Sequence, residues 1–558
     1  MPDNGLQGVH RWLLSQGFEE VSIQAPCYAY EGILECNAVE VSVRLTFLDL
    51  KFLELPEIYL LDPRPKELAR PLPHIDHHGK LCYLDQESYR IDPYDPVVTM
   101  ATLLDQAKRV LISSLAGTNS KEVGHEFRAY WEADIRGAIL SNDQTARTLK
   151  YNCLEYKTPT GASCELLVIG TDEEIEVFRK QRDGILKQAA NKHALWIEVS
   201  ETALLPEKGV WPPKHFKGLY EWIKKTDSGA AGRLHHVLGS KAGAHNPLLV
   251  VFNTKGGIVA FEVKLPEGLA TSIESPGRFR KVLLFDTGRF GTKVCRSSVD
   301  DLSPKFQTSR NLPGVGLRNK HIVLIGCGTI GGYLARLLVQ SGAGQGKGKL
   351  VIYDGQTLAS GNIGRHYLDA AYLYDNKAIA CRHKLMGEYP MAQIKEVDQD
   401  FNRLKDEVKA DIIIDATGFE AFSLSLNAQA VERHRAKDVC PPVIFAWIDG
   451  SGYCTRTVYY DGTGGCYRCL LNADRTERFE PLLNPADAVP TTYQCGESYT
   501  PYSPSVSVQA AGLALDAVLD WAQGRVKPQF RNRVLHQKAR NHKDQQLTPI
   551  KGCPACQS

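Results

Sequence analysis

The segment HIVLIGCGTIGGYLARLLVQSG, residues 321–342, constrains this 558-residue chain more than any other stretch. An apolar run, then Gly326, Gly328 and Gly331, then apolar residues at helical spacing predict a buried strand, a tight glycine turn and a helix. A second apolar run, KLVIYD, comes next and ends on Asp354. Strand, crossover helix and strand in this order build a parallel sheet, so the last part of the chain is expected to be α/β with a Rossmann-like parallel sheet. Glycines at such a turn let the backbone approach a phosphate at a helix N-terminus, and the later acid is placed to hold ribose hydroxyls.

The same turn also occurs without a ligand, and its commonest occupied form is a dinucleotide site. The residues beyond Asp354 point to ATP instead. Asn362, Arg365 and Lys377 stand in DGQTLASGNIGRHYLDAAYLYDNKA, and a later strand-like run, ADIIIDATG, carries Asp415. An enzyme in which a carboxylate attacks the α-phosphate needs cations against the triphosphate and an acid for Mg2+, and this set supplies both. An NAD oxidoreductase would leave Asn362, Arg365 and Asp415 without a role.

The ordered set from Gly326 to Asp415 resembles the adenylation fold of ThiF, MoeB and the ubiquitin-activating enzymes. The resemblance implies that Asp354 binds ribose, that Asn362, Arg365 and Lys377 contact phosphates, and that Asp415 holds Mg2+. Two positions depart from that pattern: His366 stands where a glutamine commonly follows the arginine, and Gly418 where a second acid often continues the Asp motif. Related adenylation folds pair as dimers, so a homodimer is expected, with Arg310 a candidate to reach a neighbour's ATP.

The chain has 15 cysteines. GCYRCL holds Cys466 and Cys469, and GCPACQS holds Cys553 and Cys556. Two C-x-x-C turns present four thiolates to one tetrahedral Zn2+, which would tie the tail of the chain to the body of its domain. A redox C-x-x-C is the competing reading. The ThiF-like families carry a similarly split structural zinc site. Cys495 stands in the polar loop TTYQCGESYTPYSP ahead of an apolar helix, where a thiolate can reach an adenylate. Its position resembles the catalytic-cysteine loop of activating enzymes, and a bystander cysteine is the alternative because the loop lacks an obvious base.

Residues 1–145 read as an α+β domain. The runs YAYEGILEC, VEVSVRLTF and EIYLL predict strands, and VVTMATLLDQAKRVLISSL predicts a helix. Between them, PHIDHHGKLCYLD resembles the active-site segment of ubiquitin-conjugating enzymes, with Pro73, Ile75, Gly79, Cys82 and Asp85 on its pattern. The resemblance implies that this is a ubiquitin-conjugating-like domain and that Cys82 is a thioester carrier. His74 replaces the asparagine that supports the oxyanion in that family. Whether it stabilises the oxyanion, orients the loop or acts as a base stays open. A metal site of His74, His77 and His78 with Cys82 is the alternative. Residues 146–305 form an α/β middle domain of no legible role, in which PLLVVFNTKGGIVAFEVKL predicts a hairpin.

The 66 basic and 64 acidic side chains leave no global charge to attract nucleic acid or membrane. No apolar stretch reaches the roughly 18 residues a membrane span needs, and the first residues do not read as a leader, so a cytoplasmic protein is expected. The succession of a conjugating-like domain (1–145), a middle domain (146–305) and a ThiF-like activating domain (306–558) resembles the fused activating and conjugating enzyme of bacterial CBASS antiphage operons. That resemblance implies adenylation of the C-terminus of a cGAS-like nucleotidyltransferase, thioester formation on Cys495, transfer to Cys82 and conjugation to a target lysine. Two other classes compete: a sulfur-carrier-activating adenylyltransferase, which would not need Cys82, and a scaffold of degenerate domains.

Overall fold

The structure, a computed structural model, describes residues 2–22, 27–49, 54–63, 72–76, 78–84, 92, 94–119, 123–141, 149–187, 192–203, 211–240, 246–273, 275–312, 314–487, 491–494 and 497–557. The chain divides into two compact units, residues 1–302 and 303–558.

The first unit opens with a four-stranded antiparallel sheet in the order Glu19–Glu20, Tyr28–Cys36, Val39–Phe47, Glu57–Leu60. Along Val39–Phe47 the side chains of Val41, Val43, Leu45 and Phe47 are buried, the period of two that one covered face demands. Helix Pro96–Ala116 covers that face with Met100, Leu103, Ala107 and Leu111. Its ends follow from the sequence. Asp95 caps the first turn by accepting from Val98 N, proline occupies the first helical position, and Gly117 closes it at φ 71°.

The second sheet of this unit has eight strands, in the order Ser163–Gly170, Ile135–Ile139, Lys293–Asp301, Gly257–Lys264, Leu248–Thr254, Lys192–Glu198, Lys150–Lys157, Ile185–Leu186. Because Lys150–Lys157 also pairs with Ser163–Gly170, seven of these strands close into a ring. Tyr151, Leu167, Ile169, Leu249, Val251 and Ala260 pack together in one apolar cluster. Helices Phe216–Thr226, Ser228–Leu238 and Pro276–Phe285 join a separate apolar cluster, with Trp222, Phe252 and Phe261 at its centre. The expected hairpin is present, with Thr254 opposite Gly257 across the Lys255–Gly256 turn.

The second unit is built on a seven-stranded sheet in the order Ile394–Val397, Lys349–Tyr353, His321–Ile325, Ile412–Asp415, Val443–Asp449, Cys454–Tyr460, Phe530–Val534. The first five are parallel, and their fully buried central strands explain the unbroken apolar runs. The parallel pairing ends at one edge of this Rossmann-like sheet. Only a short turn, Gly450–Gly452, joins Val443–Asp449 to Cys454–Tyr460, too short for a crossover, so the last two strands run antiparallel. Helices Thr329–Gln340 and Pro504–Ala522 pack in one core cluster of the sheet and Glu420–Ala436 in the other. Among the described residues no helix is long and apolar enough to cross a membrane.

Candidate active sites

In the second unit three parallel strands end side by side. Ile325 pairs with Tyr353 on one flank and with Asp415 on the other, so the glycine turn, Asp354 and Thr417 leave the sheet from neighbouring carboxyl ends, the place where open α/β sheets bind ligands. Gly326 has φ 89°, and a Cβ on it would meet Thr417 N at 3.0 Å. A Cβ on Gly331 would meet the Gly326 carbonyl oxygen at 1.8 Å, so helix Thr329–Gln340 lies this near its strand only without a side chain there. Gly328 differs: its Cβ would point into open space. No side chain caps the helix it begins, which leaves the first N–H groups and the positive end of the helix dipole for an anion.

A cavity of about 550 Å³ opens at this turn, lined by Gly326, Gly328, Asp354, Gln356, Asn402 and Phe422 among others. Asp354 is held from two sides, Oδ2 accepting from Cys327 N at 2.7 Å and Oδ1 from Gln356 N at 2.9 Å. Lys377, buried in the first turn of helix Lys377–Glu388, stands one residue behind the cavity and donates from Nζ to Gln356 Oε1 at 2.8 Å. Asn376, the cap of that helix, donates from Nδ2 to the Asp354 carbonyl at 2.8 Å.

The remaining candidates are not among the lining residues. Asn362 uses its side chain locally, Oδ1 accepting from Ala359 N at 3.1 Å. Arg365 donates from Nη1 to Thr500 O at 2.8 Å and lies over the Tyr502 ring, while its buried Nε has no partner among the described residues. Asp415 is 1% exposed; Oδ1 accepts from Thr417 N at 3.0 Å and Thr417 Oγ1 at 2.7 Å, and Oδ2 from Ser423 Oγ at 2.5 Å. Burial raises its pKa against those three bonds. Sequence reasoning missed Gln356, Asn402 and Phe422. Asn402 follows the strand Ile394–Val397, and only the strand order brings that loop to the crevice.

His366, the departure from the family's glutamine, braces the glycine turn from below. Its Nδ1 accepts from Leu368 N at 3.0 Å, so the neutral ring carries its proton on Nε2 and donates to the Cys327 carbonyl at 2.7 Å. Burial pushes its pKa down to about 4.

Cys466, Cys469, Cys553 and Cys556 converge, all four sulfurs lying within 4.8 Å of one another. The separations are 4.0 Å for Cys466 to Cys469, 4.0 Å for Cys466 to Cys553 and 3.5 Å for Cys469 to Cys556. A tetrahedron of Zn–S bonds of about 2.3 Å has edges of about 3.8 Å, so four thiolates arranged in this way fit a tetrahedral metal. Asn427 supports them, donating from Nδ2 to Cys466 Sγ at 3.6 Å and accepting from Tyr467 N at 2.9 Å. Among the described residues this is the one group of three or more metal-ligating side chains so gathered. Cys495, His77 and Asp85 lie outside the described residues. The strands on either side of Cys495, Thr491–Gln494 and Glu497–Tyr499, pair with each other. Arg310 is exposed in the last turn of helix Pro304–Asn311.

In the first unit, exposed Cys82 lies on the wall of a cavity of about 840 Å³, together with Glu57, His74, Glu126, Arg128 and Gly256. Cys82 N donates to His74 O at 2.7 Å, closing a tight loop whose Gly79 has φ 85°. His74 itself is left-handed at φ 64°, a conformation held by Tyr130 OH, which accepts from His74 N at 2.6 Å. Among the described residues its ring joins no group of three metal-ligating side chains; Nδ1 faces Glu126 Oε1 at 3.1 Å. Glu126 and Tyr130 were not legible as site residues, since nothing in HEFRAYWEAD marks it as an active-site segment.

Residues 314–556 match the ThiF family, and residues 15–139 match prokaryotic E2 family B. An adenylating domain and an E2-like domain on one chain define an ATP-dependent enzyme of ubiquitin-like protein ligation, which joins adenylation to E1- and E2-like conjugation of a protein substrate. The chain is 30% identical over 529 residues to the ATP-dependent ubiquitin transferase-like protein Cap2 of Pseudomonas aeruginosa (strain BWHPSA011 / Pa011), covering 92% of this chain and 91% of that one. It is likewise 30% identical over 551 residues to Cap2 of Vibrio cholerae serotype O1, covering 90% and 89%. The chain belongs to the Cap2 family of ATP-dependent ubiquitin transferase-like proteins. A crystal structure of E. coli MccB with ATP matches 43% of this chain and 68% of that chain, at 19% identity and a TM-score of 0.32.

Proposed function

We propose that this enzyme activates the C-terminus of a cGAS-like nucleotidyltransferase, carries it on Cys495 and then Cys82, and joins it to a lysine of a target protein, in antiphage defence in the cytoplasm. Residues 306–558 act as the activating domain, 1–145 as the conjugating domain and 146–305 as the middle domain of a homodimer, in which Arg310 reaches a neighbour's ATP; its exposure supports this reading. The observation that carries this reading is the pairing, on one chain, of a nucleotide crevice at Gly326, Gly328 and Asp354 with an exposed cysteine beside a histidine–glutamate pair.

ATP enters with its phosphates at the Gly328 turn, where the uncapped N–H groups of the helix meet them, and its ribose at Asp354. Asn362, Arg365 and Lys377 contact the phosphates, and the two cations among them offset the triphosphate charge. Asp415 uses three of its roughly four acceptor positions internally, which leaves one for Mg2+, whose part would be to neutralise the phosphates. The donor carboxylate attacks the α-phosphate and pyrophosphate leaves. Cys495 thiolate then attacks the acyl adenylate and releases AMP, and Cys82 thiolate takes the acyl group by thioester exchange. Attack by a lysine amine forms the isopeptide bond and frees Cys82. Each exchange passes on an acyl group of comparable energy, so two cysteines divide one difficult acylation into easier steps. The four clustered cysteines would hold a structural Zn2+, which supplies folding energy and no chemistry.

Non-reducing electrophoresis with ATP and the cGAS-like nucleotidyltransferase tests the relay. The wild type is expected to form a thiol-sensitive adduct, Cys82→Ala to trap it on Cys495, and Cys495→Ala to abolish it. An adduct that survives both substitutions overturns the relay. An adduct whose onward chemistry is indifferent to Cys82→Ala identifies a sulfur-carrier-activating enzyme instead.

A further inference from the structure

The cavity at Cys82 is completed by a segment from outside the four-stranded sheet. After helix Pro96–Ala116 the chain returns through Val123–Trp131, which brings Glu126 and Tyr130 to His74. This segment is clamped by the eight-stranded sheet. A Cβ on Gly256, in the hairpin turn, would meet Gly124 O at 2.2 Å and Phe127 Cβ at 2.8 Å, and one on Gly257 would meet Arg128 Cδ at 2.2 Å. Arg128 donates to Ser298 Oγ at 2.8 Å and to Asp300 Oδ1 at 2.7 Å. Trp131 Nε1 donates to Ala260 O at 3.3 Å, and fully buried Phe127 stacks on Trp222. Packing this dense holds Glu126 at a fixed point on the cavity wall.

We infer that Glu126 is a positioning residue that makes His74 the base for the attacking amine at the Cys82 thioester, and that the eight-stranded sheet serves this step by holding the Glu126 segment in place. The inference rests on the reading of Cys82 as the acyl carrier. Glu126 is an acceptor on both oxygens, taking Tyr130 OH on Oε2 at 3.2 Å and His74 Nδ1–H on Oε1 at 3.1 Å. The bond from His74 keeps its carboxyl below the usual range, so it stays ionised. With the proton of the neutral ring on Nδ1, the ring's lone pair sits on Nε2. As the amine attacks, its nitrogen bonds to the thioester carbon and its proton passes to His74. The carbon–sulfur bond breaks, its electron pair leaves on Cys82, and the imidazolium returns the proton to that thiolate. Isopeptide and free thiol are the products.

Exposed Glu54 also lines the cavity, and the other charged groups there are engaged. Lys80 pairs with Glu57, Arg128 with Asp300, and Asp76 accepts from His78 N at 2.9 Å and Lys80 N at 2.8 Å. Glu126 is the acid whose carboxylate meets the His74 ring.

The test uses the full chain with Cys495→Ala, acylated at Cys82 by exchange with a fluorescent glycine-ended peptide supplied as its mercaptoethanesulfonate thioester. Discharge to free lysine is then followed across about pH 5.5 to 9, the range in which an imidazole titrates. Adding Glu126→Gln is expected to leave loading unchanged and to slow discharge about tenfold. Its rising pH limb should move down by about one unit, because the imidazolium loses its anionic neighbour. Tyr130→Phe, which removes only the hydroxyl bracing Glu126, is expected to move the limb the same way by less. Wild-type rates and limbs in both variants overturn the inference and leave the thioester reading standing. A chain in which Cys82 takes no acyl group with Glu126 intact overturns that reading, and the inference with it.

Discussion

The guanidinium of Arg365 lies 4.5 Å from the centre of the Tyr502 ring, and Tyr502 OH meets Thr329 Oγ1 at 3.0 Å. The proposed phosphate arginine is thus held by the segment that comes after the Cys495 loop, which is itself tied to the first residue of the helix behind the glycine turn. Arg365→Ala is expected to lower donor-dependent ATP–pyrophosphate exchange about 10- to 100-fold, the loss of a charge-assisted contact worth about 1.5–3 kcal/mol. Tyr502→Phe keeps the ring under the guanidinium and should hold exchange within about threefold. Unchanged exchange in Arg365→Ala would remove that residue from the phosphate site.

Two glycines of one turn should fail differently. Alanine at Gly331 drives a methyl into the Gly326 carbonyl and should lower the melting temperature of the chain; overpacking of this kind costs about 1–3 kcal/mol. Alanine at Gly328, where φ is −74° and space is open, should melt as the wild type does yet bind ATP at least tenfold more weakly, because the methyl stands where a phosphate approaches. Calorimetry and nucleotide titration separate the two. Equal ATP affinity in Gly328→Ala would place the phosphates elsewhere.

His366 gives the activating domain an acid weakness. Unfolded, its imidazole takes a proton near pH 6.5, whereas folded it stays neutral down to about 4. The unfolded chain therefore binds the extra proton in that window, and stability is full above about pH 6.5 and falls as pH drops toward 4, by up to about 3 kcal/mol. His366→Gln should flatten this limb in melting temperatures taken against pH. A limb that persists unchanged would assign it to other groups.

Metal analysis of the purified chain should find one zinc per chain, bound by Cys466, Cys469, Cys553 and Cys556. Cys553→Ser should lose it and destabilise residues 303–558 by several kcal/mol, since a structural metal contributes folding energy directly. Four thiols that titrate freely in the native protein would speak against the site.

Much of the fold was legible because it is written in local periodicity. Val39–Phe47 alternates, Pro96–Ala116 carries its caps at both ends, and the Lys255–Gly256 turn sits between two β-rich runs. The glycine turn was legible for the same reason, since Gly326 and Gly331 answer a local steric demand of backbone on backbone, while Gly328 leaves open space at the start of the helix. The antiparallel edge of the last sheet was missed, because strand direction there depends on how short a connection is rather than on any residue type.

By itself, then, the sequence determined which segments become strands, helices and tight turns, and which cysteines, histidines and acids are available. Tertiary structure decided what meets what. Tyr130 reaches His74 from 56 positions away, Arg365 reaches Thr500 across 135, and Cys466 meets Cys553 across 87. Ring closure of the middle sheet, which clamps the Glu126 segment, has the same origin: it rests on pairings between distant strands. Such contacts depend on the packing of many buried side chains at once, and no local pattern encodes them.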